Sequence, residues 1–302
     1  MIMNKYRIVL FLSEKCNKNC FYCDIGQNKN QYKIDKESFF TFFPLINKNG
    51  MNYNYENYTI TGGEPGLVDS DIFEFFFKEK CKGIRTNINT NGLFIENGLF
   101  DKFYDKIDKI GLHPYIDIDE LPKEIRCDPK IIIYQPIYKI KIEYIKSFCD
   151  NHKNFLINLI PYVQKYKLET NDDLQISFEI FNKLIEMTKD IKNLEKTTLQ
   201  TIKRLSTLSD IGINLNRKFC GNSYNNIVFD FAYKKIWRCP TSKTFTDKKD
   251  LTYNNIQLCF EKKLFSSSEF DKNCNGCFDC LRYFDYYFNQ SLCEIKNEFQ
   301  SN

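Results

Sequence analysis

No stretch of the chain approaches the roughly 20 consecutive apolar residues that a membrane-spanning helix needs. The apolar run Ile8–Leu12 is also too short for the core of a signal peptide. The chain is therefore expected in the cytoplasm, with no membrane partner. Charge of one sign is lacking too: the formal net charge is +4 over 302 residues, with Lys and Arg mixed among Asp and Glu. Without a basic block, bulk electrostatics indicate no nucleic-acid partner. Tandem repeats and low-complexity segments are missing, and a hydrophobic content of 42% is enough for a full core. The length allows one large domain or a domain with an appendage. Cysteine, by contrast, is abundant. Thirteen cysteines in a reducing compartment do not suggest a disulfide framework, the odd number argues against complete pairing, and clustered C-x2-C spacings there point to metal.

The first cluster is the run C-N-K-N-C-F-Y-C, which sets Cys16, Cys20 and Cys23 at C-x3-C-x2-C spacing directly after the strand-like stretch Arg7–Leu12. Three thiolates on one short loop can hold three corners of a [4Fe-4S] cube and leave the fourth iron open to a ligand that is not protein. An open iron is a reaction site. The other reading of the triplet is a structural zinc site with a fourth ligand elsewhere.

Strand-like and helix-like runs alternate over the first half. Strands are predicted at Arg7–Leu12, up to Thr61, at Ile84–Asn89, Lys109–Leu112, Ile131–Ile137 and Phe155–Tyr162. Between the first three, Lys36–Asn47 places Phe39, Phe42, Phe43 and Ile46 on one helical face, and Asp69–Lys80 does the same with Ile72, Phe73, Phe76 and Phe77. Six strands joined by crossovers imply parallel pairing, hence an α/β fold. In parallel α/β folds the loops at the C-terminal strand ends build the site. The cysteine loop, Gly62–Pro65 and Thr90–Gly92 all occupy that position.

With Gly62-Gly63-Glu64-Pro65 after the second strand and Thr90-Asn91-Gly92 after the third, the sequence resembles a radical S-adenosylmethionine (SAM) enzyme. The resemblance covers roughly the first half and rests on three motifs in order, the first with Tyr22 as the aromatic before its last cysteine. It implies a partial (βα)6 barrel over residues 1–170, a [4Fe-4S] cluster held by Cys16, Cys20 and Cys23, and SAM bound to the open iron. It also implies that Gly62, Gly63, Glu64 and Pro65 approach the methionine amino group, that Tyr22 lies against the adenine, and that Asn89, Thr90 or Asn91 contacts SAM. His113 would neighbour SAM or substrate, or be a hydrogen-bonded loop histidine. An electron donor such as flavodoxin or ferredoxin would be a partner.

After a helical bridge over 171–210, the character changes. Cys220 precedes a hairpin pattern, Ile227–Phe231, a turn at Ala232–Lys235 and Ile236–Pro240, with Cys239 near its end. Cys274, Cys277 and Cys280 follow, then Cys293. This cysteine-rich extension, 211–302, resembles the auxiliary-cluster modules called twitch and SPASM. It departs from the full SPASM pattern by carrying Lys234 where relatives have glycine. The resemblance implies one auxiliary [4Fe-4S] cluster drawing on Cys220, Cys239, Cys274, Cys277, Cys280 and Cys293, with two clusters or a zinc ribbon as alternatives. Cys81, Cys127, Cys149 and Cys259 are isolated and read as small buried hydrophobes.

The resulting expectation is an enzyme that cleaves SAM to a 5'-deoxyadenosyl radical and abstracts hydrogen from a peptide or protein side chain. The alternatives are the same chemistry on a small molecule, as in a dehydrogenase or a nucleotide-precursor cyclase, and a non-catalytic structural metal-binding protein.

Overall fold

The computed structural model describes residues 6–20, 23, 31–53, 55–113, 125, 128–137, 142–161, 191–194, 226–237, 248–261 and 264. The residues Tyr22, Cys127, Cys220, Cys239, Cys274, Cys277, Cys280 and Cys293 lie outside them, as does the predicted bridge apart from residues 191–194.

Six strands run in chain order across one sheet: β1 (Tyr6–Phe11), β2 (Tyr55–Thr61), β3 (Arg85–Thr90), β4 (Lys109–Leu112), β5 (Ile131–Ile137) and β6 (Leu156–Pro161). Each pairs in parallel with its successor. The crossovers carry α1 (Lys36–Asn52), α2 (Ser70–Glu79), the short α3 (Leu93–Glu96) and α4 (Leu99–Phe103), and α5 (Ile142–Asn151). This is the alternation read from sequence. Among the described residues no helix is long and apolar enough to cross a membrane.

The period of two in each strand divides the sheet into two chemically different faces. Ile8, Leu10 and Leu12, Tyr58 and Ile60, Ile88, Ile110 and Leu112 point to one side. There they join Phe39, Phe43 and Ile46 of α1 and Ile72, Phe73 and Phe76 of α2 in the main core. Stacked Phe39 and Phe43, with ring centroids 5.3 Å apart, are completely buried, and each such side chain contributes about 1.5–3 kcal/mol. The other, concave face starts apolar at β1, with Val9 and Phe11 against Val228 and Trp237. Toward β3 it turns polar, with Asn57, Thr59, Asn87 and Asn89 at the alternate positions.

Helix α1 extends to Asn52, beyond the expected Asn47. Asn47 is an internal tie there and not a stop. Its side-chain amide donates to the Glu79 carbonyl at 2.6 Å, and its Oδ1 accepts from the Tyr58 hydroxyl at 2.9 Å and from Cys81 N at 3.1 Å. Asp35 caps the other end by accepting from Ser38 N at 2.7 Å.

The hairpin pattern forms β7 (Asn226–Asp230) and β8 (Lys235–Trp237), antiparallel, with β9 (Lys249–Asp250) beside β8. It does not stand apart as an appendage. Strand β7 pairs in parallel with β1, so the sheet order is β6-β5-β4-β3-β2-β1-β7-β8-β9. Helix α6 (Tyr253–Phe260) then packs near the end of α1, with Phe260 5.1 Å from the Tyr55 ring. Of the isolated cysteines, Cys149 and Cys259 are buried as expected. Cys81 is only half-buried, and its sulfur lies 3.1 Å from the Asn47 amide.

Candidate functional site

Parallel β1, β2 and β3 end at the same edge of the sheet, so the loops that follow them meet. The loop after β1 is closed at its base: Glu14 N and Ser13 Oγ both donate to the Tyr32 carbonyl, at 2.8 and 3.2 Å, and Cys16 N donates to Gln31 Oε1 at 3.2 Å. Cys16, Cys20 and Cys23 ride on this loop as reduced cysteines, Cys20 buried and the other two partly so. A turn bond from Cys23 N to the Cys20 carbonyl, 2.9 Å, links the last two.

The segment after β2 lies directly against that loop. Gly63 N donates to the Ser13 carbonyl at 2.6 Å, and Glu64 N to the Lys15 carbonyl at 2.7 Å. At this approach no side chain fits. A Cβ on Gly62, whose φ is +137°, would sit 2.4 Å from the Ser13 oxygen, and one on Gly63 would sit 2.0 Å from the Lys15 oxygen.

Glu64 is the hub of the site. Only 1% exposed, its Oε1 accepts from Gly66 N at 2.7 Å and from the Thr90 hydroxyl at 2.6 Å, while Oε2 accepts from Asn91 N at 2.7 Å. Burial pushes its carboxyl above the ordinary value, and these hydrogen bonds pull it partly back. Thr90 Oγ1 in turn accepts from Gly92 N at 3.0 Å, where Gly92, with φ +113°, turns the chain into α3. One carboxylate therefore ties the β2 loop to the β3 loop. Asn91 carries the tie back to the cysteines: its amide donates to Asn17 Oδ1 at 2.8 Å and lies 3.7 Å from Cys16 Sγ.

Of the residues singled out in the sequence, Cys16, Cys20, Cys23, Gly62, Gly63, Glu64, Thr90 and Asn91 come together, and Pro65, itself buried, opens the short turn Pro65–Leu67 beside them. Asn89 points the other way, to the concave face. There Gly111 leaves it room, since a Cβ on that glycine would lie 2.6 Å from both Asn89 Oδ1 and the Tyr134 ring. His113, at the end of β4, sets its ring edge-on to Tyr134 at 5.3 Å, and its backbone N–H donates to the Thr90 carbonyl at 2.9 Å. Sequence reasoning missed the polar concave face. The alternation in Tyr55–Thr61 and Arg85–Thr90 was a signal that could have revealed it.

Residues 10–157 match the radical SAM superfamily. The chain carries a radical SAM domain. No curated protein matches it in sequence. Among solved structures, Streptococcus suis SuiB bound to S-adenosylmethionine is similar over 90% of this chain and 73% of its own, with 16% identity and a TM-score of 0.60. Native anSMEcpe with bound AdoMet is similar over 97% of this chain and 99% of its own, with 15% identity and a TM-score of 0.58. At such identities the likeness speaks for the fold: an α/β barrel with a mostly parallel sheet.

A radical SAM domain implies a [4Fe-4S] cluster and SAM, and the donor set fits. Three reduced cysteines sit on one loop at the mouth. Burial pushes the Cys16 thiol above its ordinary value, with Glu64 and Cys23 adding to the shift against a lowering bond from the Lys18 backbone. Such a sulfur becomes a thiolate readily only beside a cation, which iron supplies. Among the described residues no three His, Cys, Asp or Glu side chains gather closely enough to share a single metal ion. Thiolates that take different irons of a cube have no need to.

Proposed function

We propose that this radical SAM enzyme abstracts hydrogen from a peptide or protein side chain. When bound, the cluster supplies the electron that splits SAM into methionine and a 5'-deoxyadenosyl radical. Everything else falls to the chain. Cys16, Cys20 and Cys23 would hold three of the cluster's irons. Gly62 and Gly63 offer backbone without side chains where the methionine end approaches, and Glu64 fixes that backbone through Gly66, Thr90 and Asn91. Thr90 and Asn91 would serve SAM from the β3 loop, and the resemblance assigns Tyr22 to the adenine. Val9, Phe11 and Trp237 form an apolar floor that keeps water from a reactive carbon.

The observation that carries the radical SAM reading is the convergence on Glu64, which joins two motif loops beside the cysteine loop through bonds of 2.6–2.7 Å. For the substrate, support comes from the concave face beside the site. Asn57, Thr59, Asn87 and Asn89 present neutral amides and hydroxyls, which suit the donors and acceptors of a peptide better than a phosphorylated ligand. The C-terminal cysteine pattern, Cys220 to Cys293, agrees through its resemblance to auxiliary-cluster modules and implies at least one further [4Fe-4S] cluster. The test is anaerobic reconstitution, chemical reduction and assay of 5'-deoxyadenosine with candidate peptides and small molecules. Product formation coupled to a mass change in a peptide is expected. Turnover with small molecules alone would replace the peptide reading, and no 5'-deoxyadenosine under any condition would leave a structural metal protein.

A further inference from the structure

We propose that the β7–β8 turn clasps the base of the cysteine loop and that Tyr233 is a positioning residue for the cluster that loop carries. The inference rests on the radical SAM reading. The turn reaches both stems of the loop. Tyr233 donates its hydroxyl to Glu14 Oε2 at 2.7 Å, two residues before Cys16, and its ring lies 4.6 Å from that of Tyr32 on the returning stem. Beyond Tyr32, Asp35 N donates to the Phe231 carbonyl at 2.9 Å, and Lys234 Nζ pairs with Asp35 Oδ2 at 2.6 Å. Phe231 N closes the set by donating to the Phe11 carbonyl, 2.9 Å, at the end of β1.

The turn is built to hold this pose. Asp230 Oδ1 accepts from Ala232 N and Tyr233 N, both at 2.8 Å, which fixes the backbone that aims the tyrosine. Lys234 has φ +54°, the left-handed region that favours glycine, and it is the described non-glycine residue with positive φ. A lysine there keeps an unfavourable backbone for the sake of a side-chain contact, the ion pair with Asp35. Glu14 is itself 1% exposed, so its bond to Tyr233 forms away from water, where geometry is held most firmly. Pinning both stems reduces the conformations open to the loop and pre-organises its sulfurs.

The test compares Tyr233→Phe with Tyr58→Phe, which removes a buried hydroxyl bonded to Asn47 at the opposite end of the sheet. Each reconstituted full-length protein is challenged with an iron chelator, and the reduced cluster is recorded by electron paramagnetic resonance with and without SAM. Expected is a roughly tenfold faster loss of cluster iron in Tyr233→Phe, a broadened spectrum with SAM, and neither change in Tyr58→Phe. Lys234→Gly, which suits the left-handed backbone and deletes only the ion pair, should accelerate loss by about twofold to threefold. Glu14→Ala should match Tyr233→Phe, and the double variant should add little. Wild-type rates in both Tyr233→Phe and Lys234→Gly, or equal acceleration in Tyr58→Phe, would overturn the clasp while leaving the enzyme assignment intact. A wild-type chain that takes up no [4Fe-4S] cluster would overturn both.

Discussion

The two ends of the barrel sheet each contain a buried polar knot, and the knots differ in kind. At the lower end, Asn47, Tyr58 and Cys81 join through neutral hydrogen bonds that tie the ends of α1 and α2 to β2. At the mouth, Glu64 places a desolvated carboxylate among backbone N–H groups of two loops, within reach of the cysteines through Asn91. Neutral knots add only a modest net stability, since folding exchanges bonds to water for bonds within the protein, but they bury no charge. A buried carboxylate carries a desolvation cost that a purely structural position would avoid. The mouth accepts that cost and the lower end does not, which separates functional from structural use of the same sheet.

The sharpest way to break this contrast is the Cys16, Cys20 and Cys23 triple-alanine variant. It should lose about four irons per chain and all SAM cleavage, with thermal unfolding of the iron-free proteins nearly unchanged, as iron analysis and calorimetry would show. Next is Gly63→Ala, whose Cβ meets the Lys15 carbonyl at 2.0 Å. It should cost about 1–3 kcal/mol in denaturant unfolding, as overpacking does, and SAM binding measured by calorimetry should weaken with it.

Glu64→Gln leaves a donor facing the donors that the carboxylate satisfied and should cost about 2 kcal/mol. It should also change a slope. Burial raises the Glu64 pKa above its ordinary 4.5, so the folded chain holds that proton more tightly than the unfolded one. The resulting stability is fully present below the ordinary value and is lost as pH rises through the raised one. Unfolding curves across that window should show the loss in the wild type and not in the glutamine variant. The smallest effect is expected from Tyr58→Phe, about 1 kcal/mol, with iron content and SAM binding untouched. A loss of iron there would show that the two ends are not independent.

Much of the fold was legible because its signals are local. The bounds of β4 and β5 and the core face of α2 follow from alternation and helical spacing that any window of the sequence carries. The extent of α1 was not, because Asn47 continues the helix only by finding Tyr58, Glu79 and Cys81 as partners. Lys234 was legible only as a departure from a motif. Its positive φ is the conformation that favours glycine, and its pairing with Asp35 accounts for the lysine. For the candidate site, the cysteine triplet, the glycines and Thr90-Asn91-Gly92 were visible as motifs, whereas the bonds among them were not. Asn89 shows the limit: adjacent to Thr90 in sequence, it lies on the opposite face, since successive strand residues point apart.

By itself the sequence determined the order and direction of the six barrel strands and the core faces of the first two crossing helices, because periodicity acts over short separations. Only the tertiary structure decided that β7 would pair with β1, that Glu64 would join two loops, and that Tyr233 would reach Glu14. Those contacts join residues 27 and 219 positions apart. Their energy depends on burial and on a carboxylate finding its donors, and neither exists until the sheet has formed.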